Sequence, residues 1–160
     1  IPFDEKHRFG IMLELPSAVV ALDRLLPLVD FVSIGTNDLI QYLFAVDRAN
    51  SRVTRWFRQC HPIVWRTLGH ICRDAEQFPD KELSICGELA GQARALPLLL
   101  GAGLRRLSMN ANFICEVRSC IEQVSLPECR QLFEQACECR YELEVQELLS
   151  NFYRKKKIEL

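Results

Sequence analysis

The sequence predicts an α/β fold in which short parallel strands alternate with helices. Four short apolar runs, each typical of a buried strand, are separated by stretches with helical spacing of apolar residues. The predicted strands cover residues 10–15, 31–35, 82–86 and 106–109. The predicted helices cover residues 17–28, 62–77 and 97–100, the last ended by Gly101 and Gly103, and a helical region from residue 113 onward broken at Pro127. This alternation is the signature of strand–helix units in a parallel sheet.

Four consecutive strand–helix units are typical of half of an eight-stranded β/α barrel, a fold that usually needs roughly 250 residues. An open doubly wound sheet is the alternative, but no glycine-rich dinucleotide turn follows any of the strands. Chemically active residues follow three of the strands, namely Glu14, Asn37 with Asp38, and Cys86. Barrel active sites are built at such carboxyl ends, so we expect these residues to share one site.

The composition is that of an ordinary globular protein and excludes several function classes. The 160 residues suffice for one domain, and 20 basic side chains nearly balance 21 acidic ones, so the charge indicates no nucleic-acid partner. The basic run 154–157 is interpreted as a solvated helix end. No apolar stretch has the length of a membrane helix, and the first residues lack a secretory signal. The chain begins with Ile rather than Met, which suggests an excised fragment.

Eight cysteines are scattered through the predicted helices and strands. Disulfide scaffolds are small and loop-rich, so we interpret most of these cysteines as apolar core residues of a reduced, cytoplasmic protein. A zinc site is the alternative, and its ligands would come from Cys115, Cys120, Cys129, Cys137 and Cys139. No CxxC pair occurs, and alternate residues of a helix point to nearly opposite sides, so the core interpretation is favoured.

Two carboxylates, Glu14 and Asp38, each follow an apolar strand run. Asp38 alone would be explained as a helix cap. Two carboxylates at equivalent ends of neighbouring strands suggest instead a shared hard cation such as Mg²⁺, which takes a few carboxylate oxygens and keeps room for substrate oxygens. The residue pattern leaves both interpretations open.

The segment from Thr36 to Asp38 is predicted to begin a helix, whose first backbone N–H groups favour a carboxylate or phosphate. Arg48 follows ten residues after Asp38 and would add a planar fork for the same anion. The alternative for Arg48 is a surface ion pair with Asp47 or another acid. Cys86 likewise has two interpretations, either a buried thiol or an acid that protonates a carbanion-like carbon.

Several motifs resemble, in order, the C-terminal barrel of enzyme I of the phosphoenolpyruvate–sugar phosphotransferase system. They are GIMLELPS at 10–17, DFVSIGTNDL at 30–39, AVDR at 45–48 and CGELAG at 86–91, and the resemblance spans roughly residues 9–115. Residues 12–14 and 107–110 look more like the nitrogen-regulatory branch of that family. The resemblance implies the C-terminal half of the barrel over residues 1–116, with the helices of residues 117–160 packed on it.

The resemblance also implies roles for the site residues. Glu14 and Asp38 would hold Mg²⁺, while Asn37 and Arg48 would bind the carboxylate and phosphate of phosphoenolpyruvate beside Asp38. Cys86 would protonate the enolate to yield pyruvate. The family passes the phosphoryl group to a histidine on a separate amino-terminal domain and then to a histidine phosphocarrier protein. We therefore expect a homodimeric phosphotransferase, of which this fragment alone is inactive.

Two alternatives to this function stay open at the level of sequence. Pyruvate phosphate dikinase and phosphoenolpyruvate synthase share the barrel and the Asn-Asp and Cys-Gly motifs. The chain would otherwise be a dimerisation or regulatory module whose catalytic residues are idle. In either case, we expect half of a barrel to have unpaired strand edges and an exposed apolar inner face, formed by Ile11, Leu13, Val32 and Ile34. Such a half-barrel should self-associate.

Overall fold

Three parallel strands form a sheet in the order β1–β2–β3 in the computed structural model, which describes residues 6–158. The strands are β1 (Gly10–Leu13), β2 (Phe31–Gly35) and β3 (Glu82–Cys86). This confirms the α/β class and the first three strand predictions. Where a fourth strand was expected, within residues 6–158 there is one isolated parallel bridge, from Leu107 to Ile85. The structure therefore confirms a three-stranded parallel sheet with this bridge at its edge, and it does not confirm the fourth strand or the half-barrel.

Eight α-helices lie within the described residues. They are α1 (Pro16–Val20), α2 (Leu22–Leu25), α3 (Thr36–Phe44), α4 (Pro62–Glu76), α5 (Leu96–Ala102), α6 (Ile114–Gln123), α7 (Leu126–Glu138) and α8 (Glu142–Lys156). The break in the helical region lies at Val124 and Ser125, just before the predicted Pro127, because α6 ends at Gln123 and Pro127 lies in the first turn of α7. Proline is tolerated there, since its missing N–H would have no partner inside the helix.

Gly103 ends α5 as predicted, with φ of 111°, whereas Gly101 lies inside the helix, which continues to Ala102. Gly101 instead faces α7, where a side chain at this position would run into the carbonyl of Cys129. The absence of a side chain therefore lets the two helices approach closely. This contact attaches the C-terminal helices to the rest of the core.

The two faces of the sheet differ, and the difference overturns one expectation. Leu13, Val32 and Ile34, expected on an exposed inner face, are fully buried and belong to one core with residues of the helices. Ile11, the fourth residue of that set, is half-buried and packs against the same core. Alternation along a strand places Met12 and Ser33 on the opposite, more open face. The open face is thus more polar than expected.

Most cysteines of the helices are core residues, as predicted. Cys72, Cys120 and Cys129 are buried, whereas Cys115 is exposed. Burial raises the pKa of Cys72 to about 12 and that of Cys129 to about 11, so both remain protonated thiols at neutral pH. Among residues 6–158, no three side chains of His, Cys, Asp or Glu come together as a metal site. None of the helices in the same range is long and apolar enough to cross a membrane.

Candidate functional site

The register of the sheet brings the carboxyl ends of its three strands to one edge. Leu13 pairs with Ile34, and Gly35 pairs with Cys86, so Glu14, Gly35 and Cys86 follow one another across this edge. A methyl group on Gly35 would lie 3.0 Å from Oε2 of Glu14 and 3.1 Å from Sδ of Met12. Gly35 is therefore the position that lets the Glu14 carboxylate lean over β2.

Glu14 and Asp38 are both half-buried, and neither carboxylate has a hydrogen bond or an ion pair within residues 6–158. Asp38 lies in the first turn of α3, but the N-cap position is Gly35, and no side chain forms a capping hydrogen bond there. The interpretation of Asp38 as a helix cap is therefore wrong. Half-buried carboxylates usually gain a partner, because desolvation penalises an unpaired charge.

The start of α3 is fastened to the turn that follows β3. Oγ1 of Thr36 donates to the carbonyl of Cys86 over 2.7 Å, and the backbone N–H of Glu88 donates to Oδ1 of Asn37 over 3.2 Å. Gly87, with φ of 97°, approaches both side chains more closely than any larger residue would allow. Because Asn37 uses its oxygen in this contact, its NH₂ group remains as a hydrogen-bond donor for a ligand.

The thiol of Cys86 is half-buried, so it is neither a core side chain nor a freely exposed one. Oγ of Ser33 donates to Sγ over 3.4 Å, and Sγ in turn lies 3.4 Å from the carbonyl of Ile34 and 3.6 Å from Sδ of Met12. A cavity of about 430 Å³ opens beside the thiol, and its lining includes Asn37, Cys86, Glu88, Ser108 and Phe113. These contacts hold the sulfur at the wall of a space large enough for a small substrate.

Arg48 forms the surface ion pair that was the alternative to anion binding, with Glu88 as the acid. Its Nη1 lies 3.5 Å from Oε1 of Glu88, and its backbone N–H donates to Oε1 of Gln41 over 3.2 Å. Asp47, the neighbour proposed as its ion-pair partner, instead accepts a hydrogen bond from the backbone of Ala49 over 2.9 Å. Glu88 therefore contacts both Asn37 and Arg48, although no role was predicted for it.

The described histidines lie outside this site. His61 caps α4, where its Nδ1 accepts a hydrogen bond from the backbone of Ile63 over 3.2 Å. Burial lowers the pKa of His61, so the ring stays neutral near pH 7. His7 and His70 are exposed surface residues, as predicted.

A parallel sheet that carries an amide, a guanidinium, a thiol and two carboxylates without partners among residues 6–158 at its carboxyl edge is typical of a ligand-binding α/β domain. Residues 1–126 match the family of PEP-utilising enzymes, over its PEP-binding domain. The chain therefore belongs to this family of phosphoenolpyruvate-utilising enzymes.

The chain is also similar to curated proteins along most of its length. The chain is 45% identical over 152 residues to Multiphosphoryl transfer protein 2 of Escherichia coli K12, covering 95% of this chain and 18% of that protein. It is 40% identical over 154 residues to the Phosphoenolpyruvate-protein phosphotransferase of Mycoplasma genitalium, covering 96% of this chain and 27% of the relative. A third relative is the Phosphoenolpyruvate-dependent phosphotransferase system protein of E. coli K12, at 38% identity, 94% coverage of this chain and 20% of its own length.

These matches confirm the resemblance to phosphoenolpyruvate–protein phosphotransferases. The chain spans roughly a fifth to a quarter of the length of these relatives. None of their names refers to the nitrogen-regulatory branch, so that finer assignment stays a prediction.

Proposed function

We propose that this chain binds phosphoenolpyruvate and Mg²⁺ at the carboxyl edge of its sheet, as one part of a longer phosphoenolpyruvate–protein phosphotransferase. The observation that carries the proposal is the row of Glu14, Gly35 and Cys86, with the start of α3 beside it. The family match and the names of the relatives support phosphoenolpyruvate as the substrate.

Glu14 and Asp38 would hold the Mg²⁺ ion. Both carboxylates are half-buried and lack a protein counter-ion in the described part of the chain. Mg²⁺ suits this donor set, because it takes one or two carboxylates, keeps several waters and leaves positions for substrate oxygens. When bound, the ion would neutralise negative charge on the phosphate of the substrate.

Asn37 and Arg48 bind the anionic groups of the substrate in this proposal. The NH₂ group of Asn37 is left over from its contact with Glu88, and Arg48 uses one nitrogen of its guanidinium on the same residue. The remaining guanidinium N–H groups match the oxygens of a carboxylate or phosphate. The first backbone N–H groups of α3 add a partial positive charge beside Asp38.

Cys86 acts as the acid that completes the formation of pyruvate. Transfer of the phosphoryl group breaks the bond between phosphorus and the enol oxygen and leaves the electron pair as the enolate of pyruvate. The S–H bond of Cys86 then breaks as a C–H bond forms at the methylene carbon, and the thiolate regains a proton from solvent. Ser33 and the carbonyl of Ile34 orient the sulfur for this step.

The phosphoryl acceptor is a histidine on a separate amino-terminal domain, which passes the group to a histidine phosphocarrier protein. We expect the 160-residue chain alone not to complete the transfer, because the reaction depends on positioning and on cationic groups from elsewhere in the polypeptide. We also propose that residues 1–116 form the C-terminal half of an eight-stranded barrel, with residues 117–160 packed on it. The predicted homodimer and cytoplasmic location belong to the same proposal.

Metal binding gives the first test. The complete polypeptide that carries this chain should bind Mn²⁺, used as a paramagnetic substitute for Mg²⁺, in the presence of phosphoenolpyruvate. Glu14→Gln and Asp38→Asn should each weaken that binding at least tenfold, because each replaces a charged ligand by a neutral one. Glu82→Gln, at the opposite end of β3, is the matched control. Equal Mn²⁺ affinity in all four proteins would contradict the metal site.

The alternatives are separated by their products. Both classes form pyruvate and a phosphohistidine from phosphoenolpyruvate, but a protein phosphotransferase keeps that group for a phosphocarrier protein, whereas a dikinase or a synthase exchanges it with a nucleotide. Incubation of the complete polypeptide with radiolabelled phosphoenolpyruvate, with and without nucleotide, distinguishes them. An idle module would bind neither phosphoenolpyruvate nor metal.

A further inference from the structure

Glu88 lies between the two residues proposed to bind the substrate. Its backbone N–H donates to Asn37, and its carboxylate lies 3.5 Å from Nη1 of Arg48. The side chain of Glu88 is 66% exposed and that of Arg48 is 38% exposed. The Glu88 side chain is therefore in contact with solvent, and the residue also lines the cavity beside Cys86.

A negative side chain beside an anion site needs a physical reason. Its charge would repel the substrate unless it were neutralised by the arginine that it contacts. A guanidinium has five N–H donors, so one contact with Glu88 leaves the other donors available to a ligand. The geometry therefore allows Arg48 to be held from one side and to bind an anion from the other.

Arg48 has few other restraints on its position. It lies in the segment 45–61, which has no α-helix or strand, and its guanidinium has no ion pair other than the one to Glu88 within residues 6–158. A long, exposed side chain loses considerable rotamer entropy when it is fixed by a ligand. A partner that restricts Arg48 beforehand lowers this cost.

A second contact joins the same two segments. Nε2 of Gln92 donates to Oε1 of Gln59 over 2.5 Å. The segment 45–61 is thus attached to the turn 87–92 at two points, near its beginning through Arg48 and near its end through Gln59. The position of Arg48 relative to Cys86 consequently depends on side chains of the turn as well as on the segment itself.

We infer that Glu88 is a positioning residue that orients Arg48 for the anionic substrate. This inference rests on the proposed function, since it takes Arg48 as a substrate ligand. Glu88 does not contact the substrate in this account; it acts through the guanidinium. Its loss should therefore raise KM for phosphoenolpyruvate and have little effect on kcat, because Cys86 and the carboxylates are unchanged.

The test is a double-mutant cycle in the complete polypeptide, read out as pyruvate formation. Glu88→Gln, which keeps the shape and removes the charge, should raise KM roughly two- to five-fold, the range of a well-placed exposed ion pair. Arg48→Ala should raise KM further. Adding Glu88→Gln to Arg48→Ala should then have no additional effect, because its effect passes through the missing guanidinium.

The control is Glu82→Gln, which removes a carboxylate paired with Arg106 at the other end of β3 and should leave KM unchanged. Glu88→Asp is the second variant; it keeps the charge and shortens the reach, and should show a smaller rise in KM than Glu88→Gln. An unchanged or lowered KM in Glu88→Gln, with a raised KM in Arg48→Ala, overturns the positioning role alone. An unchanged KM in Arg48→Ala overturns the proposed substrate site and the inference with it.

Discussion

The polar groups at the carboxyl edge of the sheet differ from those of the C-terminal helices in how they are paired. At the edge, Glu14 and Asp38 are half-buried and have no partner in the described part of the chain. In the helices, Glu128 pairs with Lys156 and accepts a hydrogen bond from the backbone of Ser125, closing the first turn of α7. Glu128 thus has its partner within the fold, whereas Glu14 and Asp38 are left for the ligand that we propose.

The largest expected difference between the two regions is the effect of replacing a cysteine on turnover. In the complete polypeptide, Cys86→Ala should reduce pyruvate formation at least about a hundredfold, the typical contribution of a general acid. Binding of phosphoenolpyruvate should survive, because none of its proposed ligands is changed. Cys129→Ala, in the core between helices, should leave turnover unchanged and lower only stability. Near-normal turnover of Cys86→Ala would mean that its thiol has only a packing role.

The contact between α5 and α7 should be the most sensitive point of the helical region. Gly101→Ala places a methyl group against the backbone carbonyl of Cys129, which cannot move without shifting α7. We expect a loss of about 1–3 kcal/mol in the free energy of unfolding, measured by urea denaturation. Gly69→Ala meets the ring of Phe133, which can rotate away, and should cost less. A reversed order would contradict this description of the interface.

A smaller effect is expected from the buried hydroxyl of Tyr153. It donates to the carbonyl of Ala93 over 2.7 Å and also contacts the thiol of Cys120. Burial raises the pKa of Tyr153, so the hydroxyl keeps its proton. Tyr153→Phe should lower the free energy of unfolding by about 1 kcal/mol. Tyr141→Phe, at an exposed side chain, is the control and should have no measurable effect.

The smallest expected effect is on the stability of the protein at acidic pH. The hydrogen bond from Lys156, followed by that from Ser125, lowers the pKa of Glu128 below its ordinary value of 4.5. Because the folded state has the lower pKa, the stability contributed by this ion is complete above about pH 4.5 and is lost as the pH falls through the folded value. Glu128→Gln should therefore flatten the dependence of stability on pH below this point. An unchanged slope would show that the pair contributes nothing in solution.

The sequence predicted the carboxyl ends of the first three strands better than it predicted the ends of the helices. Glu14 and Cys86 were expected at one edge because parallel strands end on the same side of a sheet, and the register of β1 to β3 confirms this arrangement. The face of the sheet was assigned wrongly, since alternation along Leu13 and Ile34 does not reveal which side the helices cover. At the expected fourth strand, the described residues have one isolated bridge, from Leu107 to Ile85.

Contacts between distant side chains were the least predictable feature. Glu88 and Arg48 are forty residues apart, and their meeting depends on how the segment 45–61 turns back toward β3. No periodic pattern of apolar residues encodes such a turn. The CGE motif at residues 86–88 was the only available signal, and a charged residue at an exposed turn has by itself no assignable role.

The hydrogen bond from Tyr153 has a practical consequence for anyone who trims this protein. The acceptor, Ala93, follows the turn that carries Glu88 and Gln92, and the neighbouring Arg94 donates to Ser150 of α8 over 2.6 Å. A shortened version that stopped before α8 would remove the Tyr153 hydroxyl from the Ala93 carbonyl and the Ser150 hydroxyl from Arg94, and would free the turn to shift. Binding assays on such a truncation would report a weakened site even though every residue that touches the ligand was retained.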